Sequence, residues 1–279
     1  MKLHTIDTGF FKLDGGAMFG VVPKSIWQKL NPADEKNLCT WALRCLLVED
    51  GDRLTLVDCG MGNKQSEKFF SHYEPHGEAT LASSLKAKGF SPEDITDVFL
   101  THLHFDHCGG AVAMDSDGKY FPAFKNAIYW SHEKHWEAAV KPNAREKASF
   151  LKENMLPLQE SGQLRFVNEG NEIAPGFNFK TVYGHTEAMM LPMIRCGNHT
   201  VVYMADLMPS VAHLPVAFVM AYDVRPLISL AEKENFLLEA VEKNYVLFFE
   251  HDRLNECCTL QPSERIAGVK EIFSLSELG

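Results

Sequence analysis

In the stretch 97–110, Asp-Val-Phe-Leu-Thr-His-Leu-His-Phe-Asp-His-Cys-Gly-Gly, four residues with metal-ligand chemistry, His102, His104, Asp106 and His107, fall within six positions. They follow directly on the apolar run Val98 to Leu100, so three imidazoles and a carboxylate gather at the end of one expected strand. In extended chain, residues two apart point the same way. His102 and His104 can therefore grip one ion while the turn through Asp106 and His107 addresses another. A lone histidine in a chain of 279 residues calls for no explanation, but this density before Gly109-Gly110 does.

Three further candidates each follow an apolar run: His185 after Thr181 to Gly184, Asp206 after Val201 to Ala205, and His251 after Val246 to Glu250. Loops at one end of a sheet converge readily. Seven ligands exceed the four of a tetrahedral zinc site. Two ions sharing a carboxylate fit the count. Asp58 ends an apolar face made by Leu54 and Leu56, and reads either as a turn aspartate before Gly60 or as a partner orienting a histidine. Cys108 is expected to be a small buried residue packed behind the ligand loop. His132 and His135 stand at i, i+3 but lack one residue of the His-Glu-x-x-His pattern, and read as ordinary surface or rim histidines. His213 lies in an apolar loop from Met208 to Tyr222. With Met220 and Tyr222 it is a candidate wall of the substrate pocket, and an outer candidate for contact with a carbonyl or leaving group.

The elements that must position these residues alternate between strand and helix. Residues 3–12 read as an opening strand. Runs 42–48 and 53–57, joined by Glu49-Asp50-Gly51-Asp52, read as a hairpin. Residues 64–73 and 80–88 read as helices, the second stopped by Gly89, and Ser91-Pro92-Glu93-Asp94 as a capped turn into the ligand-bearing strand. Beyond it the pattern predicts a strand over 127–130, a helix over 131–140 capped by Ser131, and a helix over 145–159 interrupted by Pro157. Strands follow over 164–167, 177–183, 191–195, 201–204 and 246–249, with helices over 231–243 and 263–273. This alternation is an α/β signature. The glycine-rich segment Gly15 to Pro23 has no clear period and reads as packed coil, or as part of a flap or dimer contact over 13–35.

Composition narrows the partners. The apolar fraction of 46% and charged fraction of 23% describe an ordinary folded chain. A net charge of −10 with no Lys/Arg-rich run argues against a nucleic-acid partner. Seven irregularly spaced cysteines do not form a disulfide framework. The N-terminus has no signal-peptide core and no run approaches a membrane span, so no membrane partner is expected. A cytoplasmic setting is expected. The chain reads as a single domain, 1–279, without a linker or repeat.

Thr101 to Gly110 resembles the metal-binding signature of the metallo-β-lactamase-fold hydrolases. Val57-Asp58-Cys59-Gly60 resembles that family's Asp-x-Gly element, Gly184-His185-Thr186 its Gly-His-Thr element, Ala205-Asp206 its bridging aspartate, and Glu250-His251-Asp252 its final histidine. The resemblance covers residues 40 to 255. It implies an αββα sandwich, two mixed sheets face to face with helices outside. It also implies two divalent ions per chain, zinc first with iron or manganese as alternatives. The first would be held by His102, His104 and His185, the second by Asp106, His107 and His251, with Asp206 bridging and Asp58 orienting a ligand.

Within the family, Asp106 and Asp206 with five histidines resemble the dinuclear lactonase and methyl parathion hydrolase-like branch, and Met18 to Pro23 and Ala205 to Pro209 with His213 resemble its quorum-quenching lactonase-like group. The implied activity is hydrolysis of a lactone or ester by a hydroxide shared between two ions about 3.5–4 Å apart, with Asp106 or Asp206 handling the proton. N-acyl homoserine lactones are the favoured substrate class. A phosphotriester, aryl ester or thioester is the alternative at the same site, and a ligand sensor without catalysis is the alternative of another kind. Two departures concern the substrate side. Glu187-Ala188-Met189 stands where the family has a small turn, and Pro209 where the lactonases place a tyrosine. A homodimer is a further expectation.

Overall fold

In the computed structural model, which describes residues 1–278, the N-terminal half supplies strands β1 (Lys2–Asp14), β2 (Leu38–Asp50), β3 (Arg53–Val57), β4 (Asp97–Phe99), β5 (Val112–Met114), β6 (Tyr120–Pro122), β7 (Ile128–His132) and β8 (Leu164–Val167). The C-terminal half supplies β9 (Phe177–Val182), β10 (Met189–Cys196), β11 (His199–Tyr203), β12 (Val246–Phe248), β13 (Cys257–Ser263) and β14 (Ile266–Phe273). One mixed sheet runs β1-β2-β3-β4-β7-β8 and the other β14-β13-β12-β11-β10-β9, while β5 and β6 form a small ribbon. In the first sheet the β3/β4, β4/β7 and β7/β8 pairs are parallel, and in the second only β11/β12 is.

The layering follows from strand alternation. Leu46, Val48, Val57 and Phe99 point from the first sheet into a core shared with Phe177, Leu191, Val201 and Leu247 of the second. Their neighbours Leu47, Leu56 and Val98 point the other way, into a separate cluster. The helices are α1 (Gly15–Phe19), α2 (Lys24–Trp27), α3 (Glu67–Phe70), α4 (Leu81–Ala87), α5 (Phe105–Cys108), α6 (Glu133–Val140), α7 (Lys152–Glu160) and α8 (Pro226–Glu242), and α4, α6 and α7 contribute Leu85, Trp136 and Leu158 to that outer cluster. The other sheet is covered by α8 through Phe236, Leu237 and Ala240. Strands buried on both faces read as continuous apolar runs, as Val246 to Phe249 does. This is the αββα arrangement of two mixed sheets. No described helix is long and apolar enough to cross a membrane.

Several expected elements are corrected. Residues 263–273 are not a terminal helix but the end of β13 and the whole of β14, paired from Cys257↔Phe273 to Ser263↔Ile266. Ile266, Val269, Ile272 and Phe273 favour strand, and the charged Lys270 and Glu271 protect an edge. Ser131 is inside β7, and α6 is capped by His132, whose ring accepts the Lys134 N–H. The helix expected over 64–73 is the single turn α3, and α7 starts at Lys152 and continues through Pro157. The segment 13–35 folds into α1 and α2 with Met18, Phe19 and Trp27 buried, so it is packed rather than loose.

Two glycines explain the end of the ligand motif. A Cβ on Gly109 would meet the Met61 carbonyl oxygen at 2.0 Å, and one on Gly110 the Cys59 carbonyl oxygen at 2.1 Å. The motif loop therefore lies directly on the 58–62 turn. Gly109→Ala is expected to cost about 1–3 kcal/mol of unfolding free energy through overpacking. Gly268→Ala, with its nearest neighbour at 3.5 Å, should change it by less than about 0.5 kcal/mol. Urea denaturation of the two variants measures the difference.

Candidate metal centre

All seven expected ligands come together at one edge of the sandwich, and all are buried. They form two groups. His102, His104, His185 and Asp206 bring their ligand atoms within 4.8 Å of one another, as do Asp106, His107 and His251. Asp206 also reaches the second group: its Oδ2 is 3.1 Å from His185 Nε2 and 3.5 Å from His107 Nε2, while its Oδ1 is 3.3 Å from His251 Nε2.

The outward nitrogens of the rings fix which lone pairs face inward. His185 Nδ1–H donates to Asp223 Oδ1 at 2.8 Å and His251 Nδ1–H to the Ala42 carbonyl at 2.8 Å. His107 Nδ1–H donates to Asp58 Oδ2 at 3.0 Å. His102 Nδ1–H donates at 3.1 Å to Thr101 Oγ1, whose own hydroxyl is given to Asp58 at 2.7 Å. These four rings present bare Nε2 atoms inward. His104 is reversed: its Nδ1 faces His102 Nε2 at 3.0 Å and His185 Nε2 at 3.2 Å, and its buried Nε2 has no hydrogen-bond partner. Nitrogen lone pairs this close repel unless a cation lies among them, so the donor set fits a metal. Imidazole with carboxylate suits zinc, iron(II) and manganese alike.

The electrostatics agree. Burial favours neutral imidazole, yet Asp206 and Asp223 hold His185 up at about 10, and Asp206 and Glu250 hold His251 up at about 9. His107 is likewise raised against burial by Glu250, Asp206 and Asp106. His102 and His104, buried beside other imidazoles, are pushed well below the ordinary range. The carboxylates thus demand positive charge in the cluster, and divalent ions supply it without protons.

Remote segments brace the ligand loops. Asp58 takes a left-handed φ of 56° after β3 and accepts the Thr101 N–H at 2.8 Å as well as His107, which is the orienting role its place in the sequence suggested. Arg44 of β2 donates from Nη1 to the carbonyls of Phe249 at 2.8 Å and Asp252 at 2.9 Å, pinning the loop that carries His251. Gly184 lies against α8, where a Cβ would meet Ser229 Oγ at 2.2 Å. Cys108 is fully buried, its thiol pushed up to about 12 by burial, and its Sγ donates to the Leu103 carbonyl.

His132 and His135 are core residues and not rim ones, with exposures of 1% each. His135 was missed as a bridge: the Leu103 N–H donates to its Nε2 at 2.8 Å, and its Nδ1–H donates to the Glu187 carbonyl at 2.5 Å. Burial lowers it to about 4, so it stays neutral. It ties the His102–His104 loop to the His185 loop, and Glu187 is fixed further by an ion pair with Arg225. His213 stacks on Phe19 at 4.6 Å, with Nδ1 on Ser210 Oγ at 2.8 Å and Nε2 on the Met18 carbonyl at 2.9 Å. Both its nitrogens are engaged, and it does not line the cavity over the ligands.

That cavity, of about 260 Å³, is lined by Leu13, Met18, Tyr73, His104, Phe105, Asp106, Arg145, Glu146, Ser149, His185, Asp206, Met220, Ala221, Tyr222 and His251. Tyr73, Arg145 and Glu146 carried no sequence signal. Glu146 is held by the Thr186 hydroxyl at 2.5 Å and by the Asn143 side chain, and lies 4.0 Å from His104 Nε2.

A family model described as Metallo-beta-lactamase superfamily matches residues 44–251. The chain is 28% identical over 195 residues to an N-acyl homoserine lactonase of Bacillus cereus, an alignment that spans 66% of the chain and 66% of that enzyme. A probable metal-dependent hydrolase from Staphylococcus aureus superposes with a TM-score of 0.89 at 30% identity, over 98% of this chain and 96% of that one. AidC, a dizinc quorum-quenching lactonase in complex with a product N-hexanoyl-L-homoserine, superposes with a TM-score of 0.79 at 24% identity over 98% and 95% of the two chains, and shares the fold.

Two outcomes follow from this geometry. After zinc reconstitution and gel filtration, wild-type protein should retain two ions per chain by atomic emission, and Asp206→Ala at most one. His135→Phe, which touches no ion, should still destabilise the protein by about 1–3 kcal/mol, because it strands the buried Leu103 N–H. Thermal or urea unfolding of the metal-free protein measures that loss.

Proposed function

Because the chain belongs to the Metallo-beta-lactamase superfamily and is a hydrolase of that superfamily, we propose that it is a dinuclear lactonase that opens N-acyl homoserine lactones with short acyl chains. One observation carries the reading. Two imidazole and carboxylate groups sharing Asp206 form the floor of a cavity whose walls, Leu13, Met18, Phe105 and Met220, are apolar. His102, His104 and His185 would hold one ion and Asp106, His107 and His251 the other, zinc first, with Asp206 between. Bound there, the ions supply Lewis acidity that acidifies water and polarises a carbonyl.

The chain's own residues then divide the remaining work. Asp206 has both oxygens committed among the rings, with Oδ2 near His185 and Oδ1 near His251. The nearest approach of Asp106 to His107 and His251 is through Oδ2, at 3.9 and 3.8 Å, and the residue lines the cavity. Its Oδ1 is therefore the atom assigned to take a proton from water and return it to the leaving alkoxide. Pro209 cannot donate to a substrate carbonyl, and that donor is assigned to the Tyr222 phenol at the cavity mouth. Burial raises both Tyr222 and Tyr73, so each hydroxyl keeps its proton at neutral pH. His213 is given no contact with substrate. Met18, Met220 and Phe105 exclude water from the reacting carbonyl and receive the acyl chain.

The cavity volume sets the chain length. At about 260 Å³ it falls below the ~300–1,000 Å³ of pockets that enclose drug-sized ligands. A lactone ring with a short acyl chain fits, and longer chains must leave through the mouth beside Tyr222.

The test is a side-by-side assay of the reconstituted enzyme. Butanoyl and hexanoyl homoserine lactones should be turned over with kcat/KM at least tenfold above an aryl phosphotriester and lactoylglutathione, and roughly tenfold above the dodecanoyl lactone. Preference for the triester or thioester, or binding without turnover, overturns the reading. Tyr222→Phe should lose about 1.5–3 kcal/mol of transition-state stabilisation, read as a drop in kcat/KM with two ions still bound.

A further inference from the structure

Resting on that two-ion reading, we propose that Glu250 is a positioning residue that acts through His107 to strengthen the hold on the ion of the Asp106–His107–His251 group. Glu250 immediately precedes His251 and is fully buried between the sheets. Its Oε2 lies 2.9 Å from His107 Nδ1, the same nitrogen that donates to Asp58 Oδ2 at 3.0 Å. The two carboxylates therefore flank the back of a single imidazole, and all three side chains have no solvent exposure.

Their hydrogen bonding differs. Asp58 is satisfied by the Thr101 N–H, the Thr101 hydroxyl and His107. Neither oxygen of Glu250 has a hydrogen-bond partner, and its approach to His107 lies outside hydrogen-bond geometry. Burying a carboxylate without donors is costly, so its charged form depends on positive charge placed near it. The balancing group is His107, and beyond it the cation at His107 Nε2. A second negative charge behind the ring increases electron donation at Nε2 and lowers the energy of a cation placed there. Partners behind metal-bound imidazoles change affinity by about 10–100-fold when removed. The rings of the other group have a hydroxyl or a single carboxylate behind them, Thr101 for His102 and Asp223 for His185. The effect is thus specific to one ion. Asp58, His107 and Glu250 also satisfy the spacing of a ligand set, but the oxygens of Asp58 are taken, which argues against a third ion there.

The experiment is a stepwise titration of metal-free protein with Co²⁺, followed by visible absorption and by competition with a chelator of known affinity. Wild type should show two steps. In Glu250→Gln, one step should weaken by about 10–100-fold while the other stays within twofold. The unfolding midpoint of the metal-free variant should be no lower than that of wild type, because an amide is cheaper to bury than an unpaired carboxylate. Glu250→Met, of similar length and uncharged, should give the same selective loss. Two unchanged steps, a loss shared by both, or a lowered metal-free midpoint in both variants would overturn the proposal, as would a third equivalent in wild type that the variants lack. A wild-type protein that binds no Co²⁺ would remove the two-ion reading itself.

Discussion

Ring nitrogens of His102, His104 and His185 approach one another to 3.0–3.2 Å, and those of His107 and His251 to 3.3 Å, in a crevice almost free of solvent. Such a gathering is unfavourable in itself, and the surroundings hold it in place. Each of the four rings with an inward Nε2 has its other nitrogen tied to an acceptor from another part of the chain or, for His102, to the adjacent threonine. Those acceptors choose the tautomer, and the tautomer decides whether a ring is a ligand or a hydrogen-bond donor. Strained backbone serves the same end. Asp58, Ala188 and Ala205, all beside the site, have positive φ without being glycine. Each costs about 1–3 kcal/mol, so the rest of the fold must over-determine them.

The sandwich does this by making the two sheets share responsibility for each loop. The first sheet delivers His102 to His107 past the end of β4, and the second delivers His185, Asp206 and His251 past the ends of β9, β11 and β12. Arg44 of β2 then crosses to the carbonyls of the His251 loop, and the Ala42 carbonyl takes the His251 ring. His135 of α6 crosses in the opposite sense, joining the 101–104 loop to the 185–188 loop. Neither sheet could hold its ligands alone in the required orientation, so the packing of the core and the geometry of the centre are one problem. Small residues matter where loops lie on each other: Gly109 and Gly110 on the 58–62 turn, and Gly184 on α8.

The ligands were legible in the sequence because their signal is local. Four fall in six positions, and three more each follow an apolar run. The sandwich was legible through its strand and helix alternation and through the resemblance carried by the same motifs. What sets the tautomers was not, because Asp223 and the Ala42 carbonyl are brought to the rings by tertiary folding, with no spacing that announces it. Asp58 was the exception, as it ends an apolar face where a carboxylate needs a partner. His135 reads as a rim residue in the sequence because its spacing from His132 falls one short of the His-Glu-x-x-His pattern, and its contacts with Leu103 and Glu187 come from remote segments. The last two strands were missed for a similar reason. Residues 263–273 carry apolar positions that suit either period, and only pairing with β13 decides between them.

The substrate side follows a different logic from the metal side. One part of its wall comes from Met18 of α1 and from Met220 to Tyr222 of the 208–222 loop, and these two segments are stitched together by His213, stacked on Phe19 and bonded to the Met18 carbonyl, and by the Ala221 N–H on the Ala17 carbonyl at 2.8 Å. Lys233 of α8 adds contacts to the carbonyls of Pro215 and Phe218, at 2.9 and 2.8 Å. A group of aromatic and sulfur side chains, Phe11, Met18, Phe19, Trp27, Trp41 and Met220, forms a small core of its own beneath this wall. The wall therefore has its own source of rigidity. Changes at Met18, Met220 or Tyr222 can reshape the cavity without disturbing a ligand, whereas a change at Asp58, His135 or Arg44 reaches the metal centre from a distance. His213, first placed beside the substrate by its position in the chain, belongs to the support of that wall, and the shape of the cavity depends on it without its ring entering the cavity.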